Sequence, residues 1–164
     1  MKAGDILIVH FKDENFVDKS ISFFEGSPWQ HAAIVTSASG DIVESVDTGV
    51  RENNVAFYAD DLTMIRTPHI PFTPYEEQEI IDKADGFLGH PYGFLDIAAL
   101  AFRLGLDKIG LKAKPDFSLI PFTTAEFPIC SQLVTLAIRA ARPEFLGNTL
   151  ARNVTPAMLA TAEF

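Results

Sequence analysis

Cys130 is the only cysteine in the 164-residue chain, and it opens a strong helix pattern. The local text is Phe127-Pro128-Ile129-Cys130-Ser131-Gln132-Leu133-Val134, with apolar residues recurring at 133, 134, 137, 138 and 141 before Pro143 stops the run. A thiol at a helix start meets the positive end of the macrodipole and unpaired backbone N–H groups. Both favour the thiolate, which is the nucleophilic form. A lone cysteine is by itself no more than a small buried apolar residue. Covalent acyl transfer also needs a base within reach of the sulfur and a polar group that orients the base.

The candidates for those roles are His31 and Glu44. His31 heads the segment His31-Ala32-Ala33-Ile34-Val35, and Glu44 lies in Asp41-Ile42-Val43-Glu44-Ser45-Val46. Each segment reads as a short β-strand, with Ser39-Gly40-Asp41 as the turn between them. A turn centred near residues 39 and 40 sets Glu44 opposite a residue near 35. His31 then lies a few residues further along, so the carboxylate reaches it only through sheet twist or a longer loop. Glu44 stands on an otherwise apolar strand, where a charge faces solvent or meets a partner. Asp41 and Asp47 are the competing carboxylates, and Asp41 suits the turn. Gln30 and Trp29, beside His31, are candidate substrate-binding residues. Gln30 and the backbone N–H of Cys130 are candidate oxyanion donors. The other three histidines, at 10, 69 and 90, read as ordinary satisfied side chains. Cys, His and Glu could also ligate zinc, but three isolated ligands without a short-spaced pair are poor metal grammar, so no metal is expected.

Four pieces occur in a fixed order: Gly4-Asp5-Ile6-Leu7, then His31-Ala32-Ala33-Ile34-Val35, then Val43-Glu44 followed by Gly49-Val50, then Cys130-Ser131-Gln132-Leu133-Val134. In these pieces the chain resembles the circularly permuted NlpC/P60 branch of the papain-like superfamily, the YiiX/YebB-like proteins. That family runs histidine, a polar third residue roughly a dozen positions on, then cysteine; here the interval is 13 (44 − 31). Ordinary papain-like enzymes place the cysteine first, so the order His31, Glu44, Cys130 belongs to the signal. The resemblance implies a papain-like nucleophile helix packed on the sheet that supplies the base. It also draws Tyr92 toward the site, because relatives often carry a Pro-Tyr pair there followed by an acidic residue. Here the pair is Pro91-Tyr92 and Gly93 follows.

Composition bounds the function classes. Hydrophobic residues make up 48% and charged residues 21%, an ordinary globular balance in a length that suits one domain spanning residues 1–164. The net charge of −9 arises from 22 acidic and 13 basic residues. The basic residues are spaced singly, so no basic stripe for nucleic acid or an anionic membrane can be read. The longest apolar stretch, residues 97–102, is too short to span a bilayer. Met1-Lys2-Ala3-Gly4-Asp5 has neither a basic n-region nor an apolar h-region, so the expected location is the cytoplasm. A single cysteine leaves no internal disulfide, which fits a reducing compartment.

The elements that must position the site follow from periodicity. Residues 5–11 read as a strand apolar on both faces, hence central. Residues 16–24 suggest a short helix and 62–66 a further strand. Thr73-Pro74-Tyr75-Glu76 predicts a capped helix start, with apolar positions 80, 81, 84, 87 and 88 carrying the helix to Gly89. Residues 94–104 read as a helix apolar almost all round. Residues 105–127 lack periodicity and suggest a loop that borders the site and acts as a lid. A last helix starts at Thr155-Pro156, with Val154 and Leu159 as a hydrophobic staple. Strands gather in the first half and helices in the second. The fold class is therefore α+β, a small mostly antiparallel sheet with packed helices.

Three functions fit these residues. The first, implied by the resemblance, is a cysteine peptidase or amidase cutting cell-wall peptide or related amide bonds through a thioester, without a cofactor. The second uses the same triad on lipid esters or acyl-amides. The third is a non-catalytic module that keeps the fold and binds a partner.

Overall fold

The computed structural model describes residues 1–12, 27–92 and 128–163. The expectations for a helix over 16–24, a helix over 94–104 and a loop over 105–127 lie outside the described residues. Five strands form one antiparallel sheet: β1 (Ile6–His10), β2 (His31–Val35), β3 (Asp41–Val46), β4 (Gly49–Asn54) and β5 (Leu62–Arg66), in the spatial order β4-β3-β2-β1-β5. The described residues hold three α-helices after it: α1 (Pro74–Asp85), α2 (Cys130–Ala141) and α3 (Pro156–Thr161). The class is α+β.

Strand β1 lies between β2 and β5 and is buried on both sides, which is why Ile6, Leu7, Ile8 and Val9 run without a polar break. Alternation divides the sheet's side chains into two cores. Ile6, Ile8, Ala32, Ile34 and Val43 face one side, where Ile80 and Ala84 of α1, Leu133, Val134, Ala137 and Ile138 of α2, and Leu159 of α3 cover them. Leu7, Val9, Ala33, Val35 and Ile42 face the other side with Tyr58. Fully burying a Leu or Ile side chain contributes roughly 1.5–3 kcal/mol, so the five-position apolar stripe of α2 holds that helix to the sheet.

Local chemistry sets the helix ends. Thr73 and Glu76 form the capping box in front of Pro74. Thr155 caps α3 by accepting from the Met158 N–H, and Val154 and Leu159 are buried in the same cluster. Helix α1 stops at Asp85, short of Gly89. The Gly86 N–H still reaches Asp82, but those of Phe87 and Leu88 bond back only three residues, and the Gly89 N–H leaves the helix for the Val50 carbonyl. Strand β4 was not expected beyond Gly49-Val50, because its sequence, Gly-Val-Arg-Glu-Asn-Asn, carries little apolar alternation. It is an edge strand, where charged side chains are the rule.

The β2–β3 register differs from the expected one. Glu44 lies opposite Ala33, with Ile34 opposite Val43 and Val35 opposite Ile42. The connection spans residues 36–40, where Ser37 and Ser39 both donate to the Asp41 carboxylate and Gly40 takes a positive φ of 89°. The turn is therefore centred nearer 38 and 39. Glu44 thus lies two residues closer to His31 than a tight turn at 39 and 40 would set it.

Candidate active site

That register makes His31 and Glu44 diagonal neighbours on one face of two adjacent strands. Continuing it pairs His31 with Val46, so Glu44 stands one alternation step away, within reach of a long side chain. The His31 Nε2–H donates to Glu44 Oε2 at 2.8 Å. A carboxylate only accepts, so Nε2 carries the proton and the tautomer is fixed. Cys130 lies near enough on the other side to act on the protonation of His31. With Nε2 spent on Glu44, Nδ1 is the nitrogen left for the sulfur.

This contact occurs where two elements begin. Helix α2 packs on the first core, whereas His31 and Glu44 belong to the second face of the sheet. Cys130 is the first residue of its helix and His31 the first residue of its strand. The two side chains therefore meet at the strand's end, without crossing the sheet. The approach to the helix is anchored by Ser45, whose Oγ donates to the Pro128 carbonyl at 2.5 Å in a buried position. Ser131 Oγ donates to the Val154 carbonyl at 2.6 Å and ties the first turn of α2 to the chain entering α3. Neighbouring residues of β3 thus do two jobs. Glu44 points to the imidazole, and Ser45 holds the backbone that leads to the thiol.

Glu44 is 0% exposed, and its burial is compensated by four donors. Oε2 accepts from His31 and from the Tyr58 hydroxyl; Oε1 accepts from Arg51 Nε at 3.0 Å and Asn53 Nδ2 at 2.8 Å. Burial alone raises the carboxyl's pKa, but the hydrogen bonds outweigh it, His31 foremost and then Tyr58 and Asn53, and hold it at about 2. For His31, burial is again the largest influence and acts downward. The bonds and charges of Cys130 and Glu44 overcome it and lift the imidazole to about 9. Tyr58 is pushed well above the ordinary phenol value by burial first and then by the Glu44 charge. The imidazole is also enclosed by rings: Phe11 stacks at 5.8 Å and 28°, and Tyr58 lies at 5.8 Å and 41°.

Three residues of this cluster, Arg51, Asn53 and Tyr58, escaped sequence reasoning. The first two were legible in principle. Asp47-Thr48 is a two-residue connection, which sets Arg51 directly opposite Glu44 and Asn53 one alternation step away on the same face. Tyr58 closes a 3₁₀ turn over residues Val55–Tyr58, whose start is capped by the Asn54 side chain, and no short-range signal aims it at Glu44.

The other expected site residues stand differently. Gln30 is buried, but its Oε1 accepts from the Phe11 N–H at 2.7 Å and faces His10 Nδ1 at 3.2 Å. It fastens the end of β1. Trp29 packs at the margin of the first core. Tyr92 follows a segment hydrogen-bonded to the β4 edge, with Gly89 N–H donating to Val50 and Val50 N–H to His90. Gly49 permits that approach: it takes φ of 116°, and a Cβ there would lie 2.8 Å from the His90 carbonyl. Asp41 is a turn residue, bonded to Ser37, Ser39 and Asn54.

No protein-family model matches the chain, and no curated protein matches it. Among solved structures it is similar to the metalloprotein YiiX from Escherichia coli O157:H7. The TM-score is 0.56 and the identity 16%, with 98% of this chain and 92% of that one covered. The likeness extends over nearly the whole length of both chains and is one of fold.

Proposed function

We propose that the protein is a cysteine-dependent hydrolase of amide bonds, with Cys130 as nucleophile, His31 as acid and base, and Glu44 as the residue that orients the imidazole. The observation that carries this reading is that His31 is hydrogen-bonded to a buried carboxylate and stands next to a cysteine at a helix start. The YiiX-like fold is consistent with a permuted NlpC/P60 enzyme, and the order His31, Glu44, Cys130 supports it.

In the proposed reaction the thiol proton passes to His31 Nδ1, the sulfur attacks the carbonyl carbon, and the carbon–oxygen π pair moves onto oxygen. The backbone N–H of Cys130 is free of a helical partner at this position and stabilises the oxyanion. Collapse of the intermediate expels the amine, which takes its proton from His31 Nδ1, and leaves a thioester. Water then loses a proton to His31 and attacks the thioester; sulfur leaves as acid is released. Glu44 holds Nε2–H throughout, so the other nitrogen stays aimed at the sulfur. An imidazole held protonated up to about 9 has the leaving group's proton in place at neutral pH.

YiiX is described as a metalloprotein, which raises a metal as an alternative use of the same residues. The donor set fits that use poorly. The Nε2 of His31 is engaged by Glu44. Among the described residues no group of three or more His, Cys, Asp or Glu side chains is arranged to hold a metal ion. No step is routed through one.

The test is turnover of a mixture of cell-wall peptides by the wild type and by Cys130→Ser and His31→Ala. The reading expects peptide fragments from the wild type alone. Release of fatty acid from acyl-esters or acyl-amides, with peptides untouched, would move the same triad to lipid substrates. No turnover of either class, with an unreactive Cys130, would leave a binding module.

A further inference from the structure

We propose that Tyr58 is a positioning residue for the imidazole: its hydroxyl shares one carboxylate oxygen with His31 and thereby sets how tightly Glu44 holds the imidazolium proton. The inference rests on the reading of His31 as the site's acid and base, and it concerns how that group is tuned.

Tyr58 is 2% exposed, and its hydroxyl and the His31 Nε2–H converge on the same atom, Glu44 Oε2. A phenol has a single proton, and its neighbour here accepts only, so the O–H must point at the carboxylate. Two donors on one oxygen divide its negative charge. The oxygen that orients His31 is thus a weaker partner than a carboxylate devoted to the imidazole alone. The ring has a second role. It lies 5.8 Å from the His31 ring and 6.0 Å from Phe11, which itself stacks on His31. The three rings form a closed set that leaves the imidazole little rotational freedom about the Nε2–Oε2 axis.

Among the described residues the surrounding charges are few. Glu44 comes from β3, Arg51 from β4 on the other oxygen, and Cys130 from α2. Among the described residues of β1 and its exit, Val9 and Phe11 face the imidazole. Asn53 is a neutral donor to Oε1. Tyr58 is therefore the one group among these that touches both His31 and the oxygen His31 uses.

Tyr58→Phe keeps the ring and removes the donor. The His31 titration midpoint, followed by imidazole ¹⁵N resonances, is expected to move up by about one pH unit, because Oε2 is left to the imidazole alone. The alkaline limb of the alkylation profile with iodoacetamide, where the imidazolium loses its proton, should show the same upward displacement. Site-specific 3-fluorotyrosine at position 58, a stronger donor, should displace both in the opposite direction, and it preserves the fold where Tyr58→Phe does not. Neither readout needs a substrate, so the tuning stands or falls separately from the hydrolase reading. A tyrosine that only fills space predicts no displacement. An unchanged midpoint in both folded variants, or displacements of reversed sign, would overturn the proposal.

Discussion

Glu44→Gln is the sharpest perturbation of the site, because it keeps the side chain's shape while removing its charge and turning one acceptor into a donor. In the wild type the carboxyl is held at about 2 against an ordinary 4.5. At about 1.4 kcal/mol per pH decade, that difference corresponds to on the order of 3 kcal/mol. The lowered Glu44 contributes fully above pH 4.5 and loses its contribution as pH falls toward 2. The raised His31 contributes fully below 6.5 and loses its contribution as pH rises through about 9. The two describe one interaction from its two ends and are not added. The stability gap between wild type and Glu44→Gln should therefore be widest between pH 4.5 and 6.5, on the order of 2–3 kcal/mol, and should narrow on either side.

The substitution also changes the tautomer. The variant amide can keep its oxygen toward Arg51 and Asn53, but its NH₂ then faces His31 Nε2 and Tyr58. Nε2 must become an acceptor, so the proton moves to Nδ1 and blocks the nitrogen that meets Cys130. Burial, now opposed by Cys130 alone, should lower the His31 midpoint from about 9 by more than one pH unit. Turnover should fall by about 10²–10⁴-fold, the scale of a triad whose imidazole is held in the wrong tautomer. The assays are urea unfolding across pH 4–10 and imidazole ¹⁵N titration, with His31→Ala used to assign the signal. A variant whose His31 titrates where the wild type's does, with a pH-independent stability gap, would refute this reasoning.

Other outcomes follow from the same contacts. At pH 6.5 the wild-type Cys130 should alkylate with iodoacetamide several-fold faster than in His31→Ala; equal rates in folded proteins would count against the pair. Ser45→Ala strands the buried Pro128 carbonyl and should cost about 1–3 kcal/mol in chemical denaturation; a loss near zero would mean that this bond does not hold the approach to Cys130. Ile138→Ala, at a fully buried position of α2, should cost about 2–5 kcal/mol. That loss should leave the His31 titration unmoved, since the residue lies on the other side of the sheet.

The parts of the fold readable from sequence are those written in short-range chemistry. The Thr73 capping box, the Thr155-Pro156 helix start and the α2 stripe from Leu133 to Ile138 each depend on residues within a few positions of one another. The two-sided burial of β1 follows from its unbroken apolar run. What was not legible depended on register or on tertiary approach. A shift of the β2–β3 turn by about one residue moves the partner of Glu44 by two. Parity was safe, but reach was not decided until the Ser37-Ser39-Asp41 network fixed the loop. The donor shell around Glu44 needed β4, whose polar sequence hides a strand. Gln30 shows the converse. Its place beside His31 suggested the site, yet neighbours along an extended chain point apart, and its oxygen is spent on Phe11.

The measurement closest to the central claim is intact-mass spectrometry of acid-quenched protein during incubation with the peptide mixture, followed by mapping of any adduct. The account predicts an acyl adduct on the peptide carrying Cys130, absent from Cys130→Ser and strongly reduced in His31→Ala. Amide cleavage by Cys130→Ser at the wild-type rate, with no adduct in either protein, would contradict it.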